Sequence, residues 1–171
     1  HNDHIQGLPF FKPLHMKDSN INIVGFSEYE EGLDSVISDL VFDKSFPLGL
    51  NDLNSKISFY DINDNYALIF NEDDDTPDMV KIENDEDYIP EGEEVVISCL
   101  KSNSHPKQGV MIYKIAYKDK SLVYATDTEG YVGANKKLVL FARDTDLLIH
   151  DAQYTSCLLY TSDAADEARS G

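Results

Sequence analysis

The sequence predicts one layered domain of mixed α/β type, with α+β as the alternative that periodicity alone leaves open. Three observations point there. Short apolar runs of strand length recur through the chain, three other segments read as helical, and turn-forming residues separate them. No internal repeat interrupts this order, and no run approaches the roughly 20 apolar residues of a membrane span.

Taken in order, residues 5–14 are expected to begin a helix directly behind the opening His/Asp residues. Ile21-Asn22-Ile23-Val24 reads as a short strand. Ser27 and Glu30 form a capping-box signature for a helix to about Val41, with Leu33, Val36, Ile37 and Leu40 on one face. Residues 56–62 and 66–70 are strand-like runs around the turn Asn63-Asp64-Asn65. Further strands are expected at 95–100, 110–117 and 121–125, with Lys118-Asp119-Lys120 as a hairpin turn between the last two. Residues 135–142 look helical, and 146–149 return as a buried strand.

With 171 residues and 42% hydrophobic content, the chain can bury one core of ordinary size. Its formal charge is −18. Arg169 against Asp163, Asp166 and Glu167 contributes −2 of that, leaving −16 on residues 1–156. Such a charge repels phosphate backbones, whose capture relies on Lys and Arg. Twelve of the 32 acidic residues fall between Glu72 and Glu94, which reads as a solvated surface insertion. Their oxygens lack EF-hand spacing, so calcium binding is a weak reading.

The residues that carry chemistry stand in four segments. The chain opens on His1-Asn2-Asp3-His4 and runs into Gln6-Gly7-Leu8-Pro9-Phe10-Phe11. Ser104-His105-Pro106 comes after the apolar run Val95-Val96-Ile97-Ser98-Cys99-Leu100. Leu122-Val123-Tyr124-Ala125-Thr126-Asp127 is a hydrophobic run ending in an acid, and Asp146-Leu147-Leu148-Ile149-His150-Asp151-Ala152-Gln153-Tyr154-Thr155 is a strand-like run followed by an acid. In this order they resemble the metallo-β-lactamase superfamily, and the first and last segments resemble its ribonuclease Z-like and cyclic-phosphate phosphodiesterase-like branch. The opening residues match the end of that family's His-x-His-x-Asp-His signature.

The resemblance implies a partial αββα sandwich over residues 1–156 and two divalent metal ions, zinc first, with manganese or iron as alternatives. Imidazole and carboxylate groups suit such ions. It assigns His1, Asp3, His4, His105 and Asp127 as metal ligands, with Asp127 bridging. Asp3 and Asp151 are the catalytic candidates, and His150 a neighbour that hydrogen-bonds around the site. Each has a plainer alternative. His1, Asp3 and His4 could be a hydrophilic chain end, His105 an exposed loop residue, and Asp127 the cap of a turn at Thr128-Glu129-Gly130. His15 reads as structural or surface, and Phe10 and Phe11 as core residues first.

The function implied is hydrolysis of a small phosphodiester by a water that two cations make acidic, with Asp3 orienting it or taking its proton. The acidic surface weighs against the ribonuclease Z-like alternative, which would need a basic grip on RNA. A di-iron redox protein and a non-catalytic member of the same fold are the rivals from other classes. Partners are therefore a small substrate, no membrane, nucleic acid disfavoured, with a homodimer allowed. Residues 157–171, beginning Cys157-Leu158-Leu159-Tyr160-Thr161-Ser162, read as a translated sequencing adapter outside any fold. The chain is then expected to be a gene fragment lacking the first and last His ligands and its N-terminal strands, with any signal peptide out of view. Cys99 is left as the native cysteine, a buried reduced thiol consistent with the cytoplasm and a poor nucleophile.

Overall fold

The structure is a computed structural model and describes residues 2–26, 32–42, 46–82, 90, 92–103, 109–128 and 135–151. His1, His105, the Ser27/Glu30 capping box and residues 152–171 lie outside the described residues. The chain divides into two compact units, residues 1–63 and 64–171. The architecture is mixed α/β, with a mostly antiparallel six-stranded sheet and short helices.

The first unit starts with a single helical turn, α1 (Asn2–Ile5), followed by two 3-10 turns at Leu8–Phe10 and Lys12–His15. A continuous helix over 5–14 does not form. Pro9 and Pro13 each stand at the start of a 3-10 turn, where a missing N–H costs nothing but a long helix cannot pass. This phasing turns Pro9 and Leu14 inward and leaves Phe10 and Phe11 76% and 50% exposed, so neither is a core residue. Phe10 instead meets the Phe46 ring edge-on at 5.5 Å. His15 is exposed, with Nε2 2.7 Å from the Pro9 carbonyl, the structural place expected of it.

Strand β1 (Asn20–Gly25), helix α2 (Leu33–Ile37) and strand β2 (Lys56–Asp61) form a β-α-β unit. The strands pair in parallel from Asn20↔Lys56 to Gly25↔Asp61. Asp61 Oδ2 accepts the Leu33 N–H at 3.4 Å, so the second strand also holds the start of the helix. Gly25 lets Leu33 approach closely, since a Cβ there would lie 3.2 Å from both Leu33 methyl carbons, which would have to shift by a few tenths of an ångström. Beyond Ile37 the helix widens into a π-turn, Ser38–Phe42. Wider winding advances the apolar face, so Val41 and Phe42 are buried with Leu14, Leu33 and Ile37, while Leu40 is 41% exposed.

The second unit is a sheet in the order β4-β3-β5-β6-β7-β8. Its strands are β3 (Tyr66–Phe70), β4 (Asp78–Lys81), β5 (Val95–Ser102), β6 (Val110–Tyr117), β7 (Lys120–Ala125) and β8 (Leu147–His150). All neighbours are antiparallel except β7 and β8, which run parallel. Although β2 and β3 flank the Asn63-Asp64-Asn65 turn, they belong to different sheets. The acidic stretch contributes β4 rather than being wholly an irregular insertion. The expected hairpin forms through Lys118 (φ +53) and Asp119.

One face of this sheet is covered by α3 (Lys136–Phe141), whose Leu138 packs with Ile112, Val123 and Ala125. Asn135 caps that helix by accepting the Leu138 N–H at 3.2 Å. Lys114, buried on β6, sends its Nζ to the Phe141 carbonyl at 3.3 Å, placing a cation at the helix's C-terminal end. Strand β8 departs from expectation. It is an edge strand, and Leu147, Leu148 and Ile149 are 54%, 46% and 39% exposed rather than buried. Among the described residues, no helix is long and apolar enough to cross a membrane.

Candidate functional site at the ends of the parallel strands

Because β7 and β8 are parallel, their C-terminal ends lie side by side, Ala125 opposite His150. The residues just past each strand therefore meet across the pair. After β7 the chain turns at Thr126-Asp127, with Asp127 in the left-handed region at φ +57. A short polar side chain is one of the few that settles there. The Asp127 N–H donates to Asp151 Oδ2 at 2.6 Å, a charge-assisted bond that fixes the turn from the neighbouring strand.

Thr128 closes the arrangement. Its buried hydroxyl donates to the Ala125 carbonyl at 2.9 Å and lies 2.9 Å from His150 Nε2. His150 Nδ1 is 2.7 Å from the Asp151 carbonyl. Both carbonyls can only accept, so the single hydroxyl hydrogen goes to Ala125 and Nδ1 carries a hydrogen. The ring thus bridges the Thr128 hydroxyl and the Asp151 carbonyl, with both of its nitrogens engaged. Its chemistry here is to position the Thr128 turn.

Asp3 and His4 belong to the first unit, on the helical turn α1 rather than on an open loop. Asp3 Oδ2 lies 3.6 Å from His4 Nε2, and both side chains are exposed. The structure thus brings together Asp127, Asp151 and His150 in one unit and Asp3 with His4 in the other. His1 and His105 fall outside the described residues. The donor types suit a divalent cation. Among the described residues, however, no three His, Cys, Asp or Glu gather into a group that could hold one.

Two further features bear on chemistry. Cys99, buried on β5, has its thiol pushed up from an ordinary 9.0 to about 12 by burial, with the Asp64 charge adding to it. It stays a thiol at neutral pH and is not a nucleophile. The first unit also carries an open cleft of about 550 Å³, rimmed by Asp34, Ser35, Ser38 and Asp39 above Ile57 and Phe59. None of the residues proposed from sequence lines it. The sequence reading passed over both the cleft and the Thr128 hydroxyl. The Thr-Asp-Thr run after a strand marked the turn, but Thr128's partner is found only once β7 and β8 are paired. Comparisons with protein-family models, curated proteins and solved structures gave no significant match.

Proposed function

We propose that this chain is part of a metal-dependent hydrolase of the metallo-β-lactamase type, on a partial αββα sandwich, acting on a small phosphodiester in the cytoplasm. The observation that supports it best is the Asp127 turn. An acidic side chain stands at the end of one of two parallel strands, on a backbone fixed by a second carboxylate from the other. Carboxyl-terminal ends of adjacent parallel strands are where α/β proteins place ligands.

In this reading Asp3, His4, His105 and Asp127, with His1, would hold two divalent ions, zinc first. When bound, such ions make water more acidic and neutralise charge on a phosphodiester. The chain's own contributions are positional. Asp151 holds the Asp127 backbone, Thr128 and His150 lock the turn to β8, and Asp3 orients or accepts the water proton. The formal charge of −18 favours a small substrate over RNA. The test is metal content together with hydrolysis of a model aryl or cyclic phosphodiester, on this chain and on any longer gene product containing it. Absence of both bound metal and turnover in the longer product sinks the proposal.

A second reading has its own support. His150 uses both ring nitrogens, and Asp151 uses Oδ2, in holding the turn, as a purely structural lock between two strands would. Under that reading Asp127→Asn leaves metal content unchanged.

A further inference from the structure

We infer that the cleft of the first unit binds a small organic cation, an ammonium group carried on an aromatic body, without using any residue of the proposed hydrolytic site. The cleft holds about 550 Å³, within the roughly 300–1,000 Å³ typical of small-molecule sites. Its floor is apolar. Leu50, Leu53, Ile57 and Phe59 line it and are half-buried, each packed against the core cluster that contains Leu33, Ile37 and Phe42. An aromatic body laid on this floor removes apolar surface from water on both partners, and the Phe59 ring offers it a stacking contact.

The lining is held in place by the chain's own bonds. Strand β2, which carries Ile57 and Phe59, is paired along its length with β1, from Asn20↔Lys56 to Gly25↔Asp61. Leu50 opens a 3-10 turn, Leu50–Asp52, and the Gly49 N–H closes its start by donating to Asp52 Oδ2 at 2.9 Å. The Leu53 N–H bonds back to the Leu50 carbonyl at 3.3 Å. The rest of the lining, Asp34, Ser35, Ser38 and Asp39, comes from α2 where it passes into its π-turn. Single π-turns within helices are frequent at functional sites. Because these elements are already ordered, a ligand does not have to order them.

Charge selects the ligand. Asp34 and Asp39 supply the charge on the lining, and no lysine, arginine or histidine among the described residues joins them there. Residues 1–63 carry ten acidic side chains against four lysines, so the surrounding field has the same sign as the local one. Anions are repelled from such a cleft, the phosphodiester of the proposed reaction included. A cation is drawn in, and its N–H groups find acceptors in the two carboxylates, the Ser35 and Ser38 hydroxyls and the Asn51 amide oxygen. The floor narrows the choice further. A bare metal ion or a polyamine would leave Ile57 and Phe59 uncovered, whereas an aryl ammonium satisfies the rim and the floor together.

The test uses the full 171-residue chain, isotope-labelled for nuclear magnetic resonance, with tryptamine as the probe. Tryptamine should shift the amide resonances of residues 34–39 and 50–59 saturably. Indole-3-propionate, of similar shape and opposite charge, should not. The double variant Asp34→Asn, Asp39→Asn should weaken tryptamine several-fold. Ser35→Trp, at an exposed rim position, should abolish binding while the far-ultraviolet circular dichroism is kept; if the fold is disturbed, the isosteric double variant decides alone. Asp127→Asn should bind tryptamine as the unmodified chain does, whatever the outcome for hydrolysis. Equal binding of the two probes overturns the inference, as do shifts scattered over the acidic surface without saturation. So does unmodified affinity in the double variant, or loss of binding in Asp127→Asn.

Discussion

Asp127 sits in a backbone region that favours glycine, and that separates its structural role from its chemical one. At φ +57 a side chain with no local hydrogen bonding is disfavoured by about 1–2 kcal/mol. Asp127→Gly should therefore keep or slightly raise stability in urea denaturation, whereas Asp127→Ala should lower it by about 1 kcal/mol. Both remove the carboxylate. Under the metal-dependent proposal both abolish phosphodiester hydrolysis, although only one weakens the fold. Retained turnover in the glycine variant would show that the carboxylate is not needed. The paired residues Cys99 and Tyr113 give a second test at this scale. Burial raises both, from 9.0 and 10.0 to about 12 each, with the Cys99 charge adding to Tyr113. Because the folded values lie above the unfolded ones, the stability these neutral groups contribute is complete below pH 9. It is lost as pH climbs from 9 toward 12. Urea midpoints should fall across that range, and Cys99→Val should reduce the slope by up to about 1.4 kcal/mol per pH unit. An unchanged slope would put the alkaline sensitivity elsewhere.

Among the elements, the wound end of α2 sends Val41 and Phe42 into the core of the first unit. Phe42 is fully buried beside Leu14 and Ile37 and meets the Phe46 ring edge-on at 6.2 Å. Phe42→Ala should cost about 3–5 kcal/mol, against under about 1 kcal/mol for the exposed Leu40→Ala, read from denaturant midpoints. The comparison is informative because the sequence favoured Leu40. Ideal helical spacing from Leu33 reaches Leu40 after two turns, and a π-turn is invisible in an apolar pattern. Local signals were otherwise reliable. Strands β5, β6 and β7 were legible from their apolar runs, the β6–β7 hairpin from Lys118-Asp119-Lys120, and α3 as a helical segment at 135–142. What failed was nonlocal or hinged on proline. The first helix broke at Pro9 and Pro13, and β8 proved an exposed edge because no pattern says which strand ends a sheet. The Asp127 position was legible as an acid closing a hydrophobic strand. Its fixation by Asp151 was not, since that depends on β7 and β8 pairing in parallel across 24 residues.

Over the whole molecule, net charge decides which ionic ligands are repelled. Thirty-two acidic residues against 14 basic ones set a repulsive field for any polyanion, and that field is screened beyond about 8 Å at physiological ionic strength. A small phosphodiester carries one charge and meets the repulsion once. A precursor tRNA carries many, and it would need basic contacts that this composition does not favour. If the hydrolase proposal holds, kcat/KM for a cyclic or aryl phosphodiester should exceed that for precursor tRNA. The preference should narrow as salt rises, because screening relieves the polyanion more than the monoanion. The comparison needs zinc and manganese in parallel and Asp127→Asn as the inactive reference. Efficient tRNA cleavage at low salt, weakening as salt rises, would mean that a local basic surface overrides the net charge. The small-substrate reading would then fall even though the metal-dependent one stood. Turnover of either substrate by Asp127→Asn at the unmodified rate would remove the metal-dependent mechanism itself, leaving the turn between β7 and β8 as a structural lock.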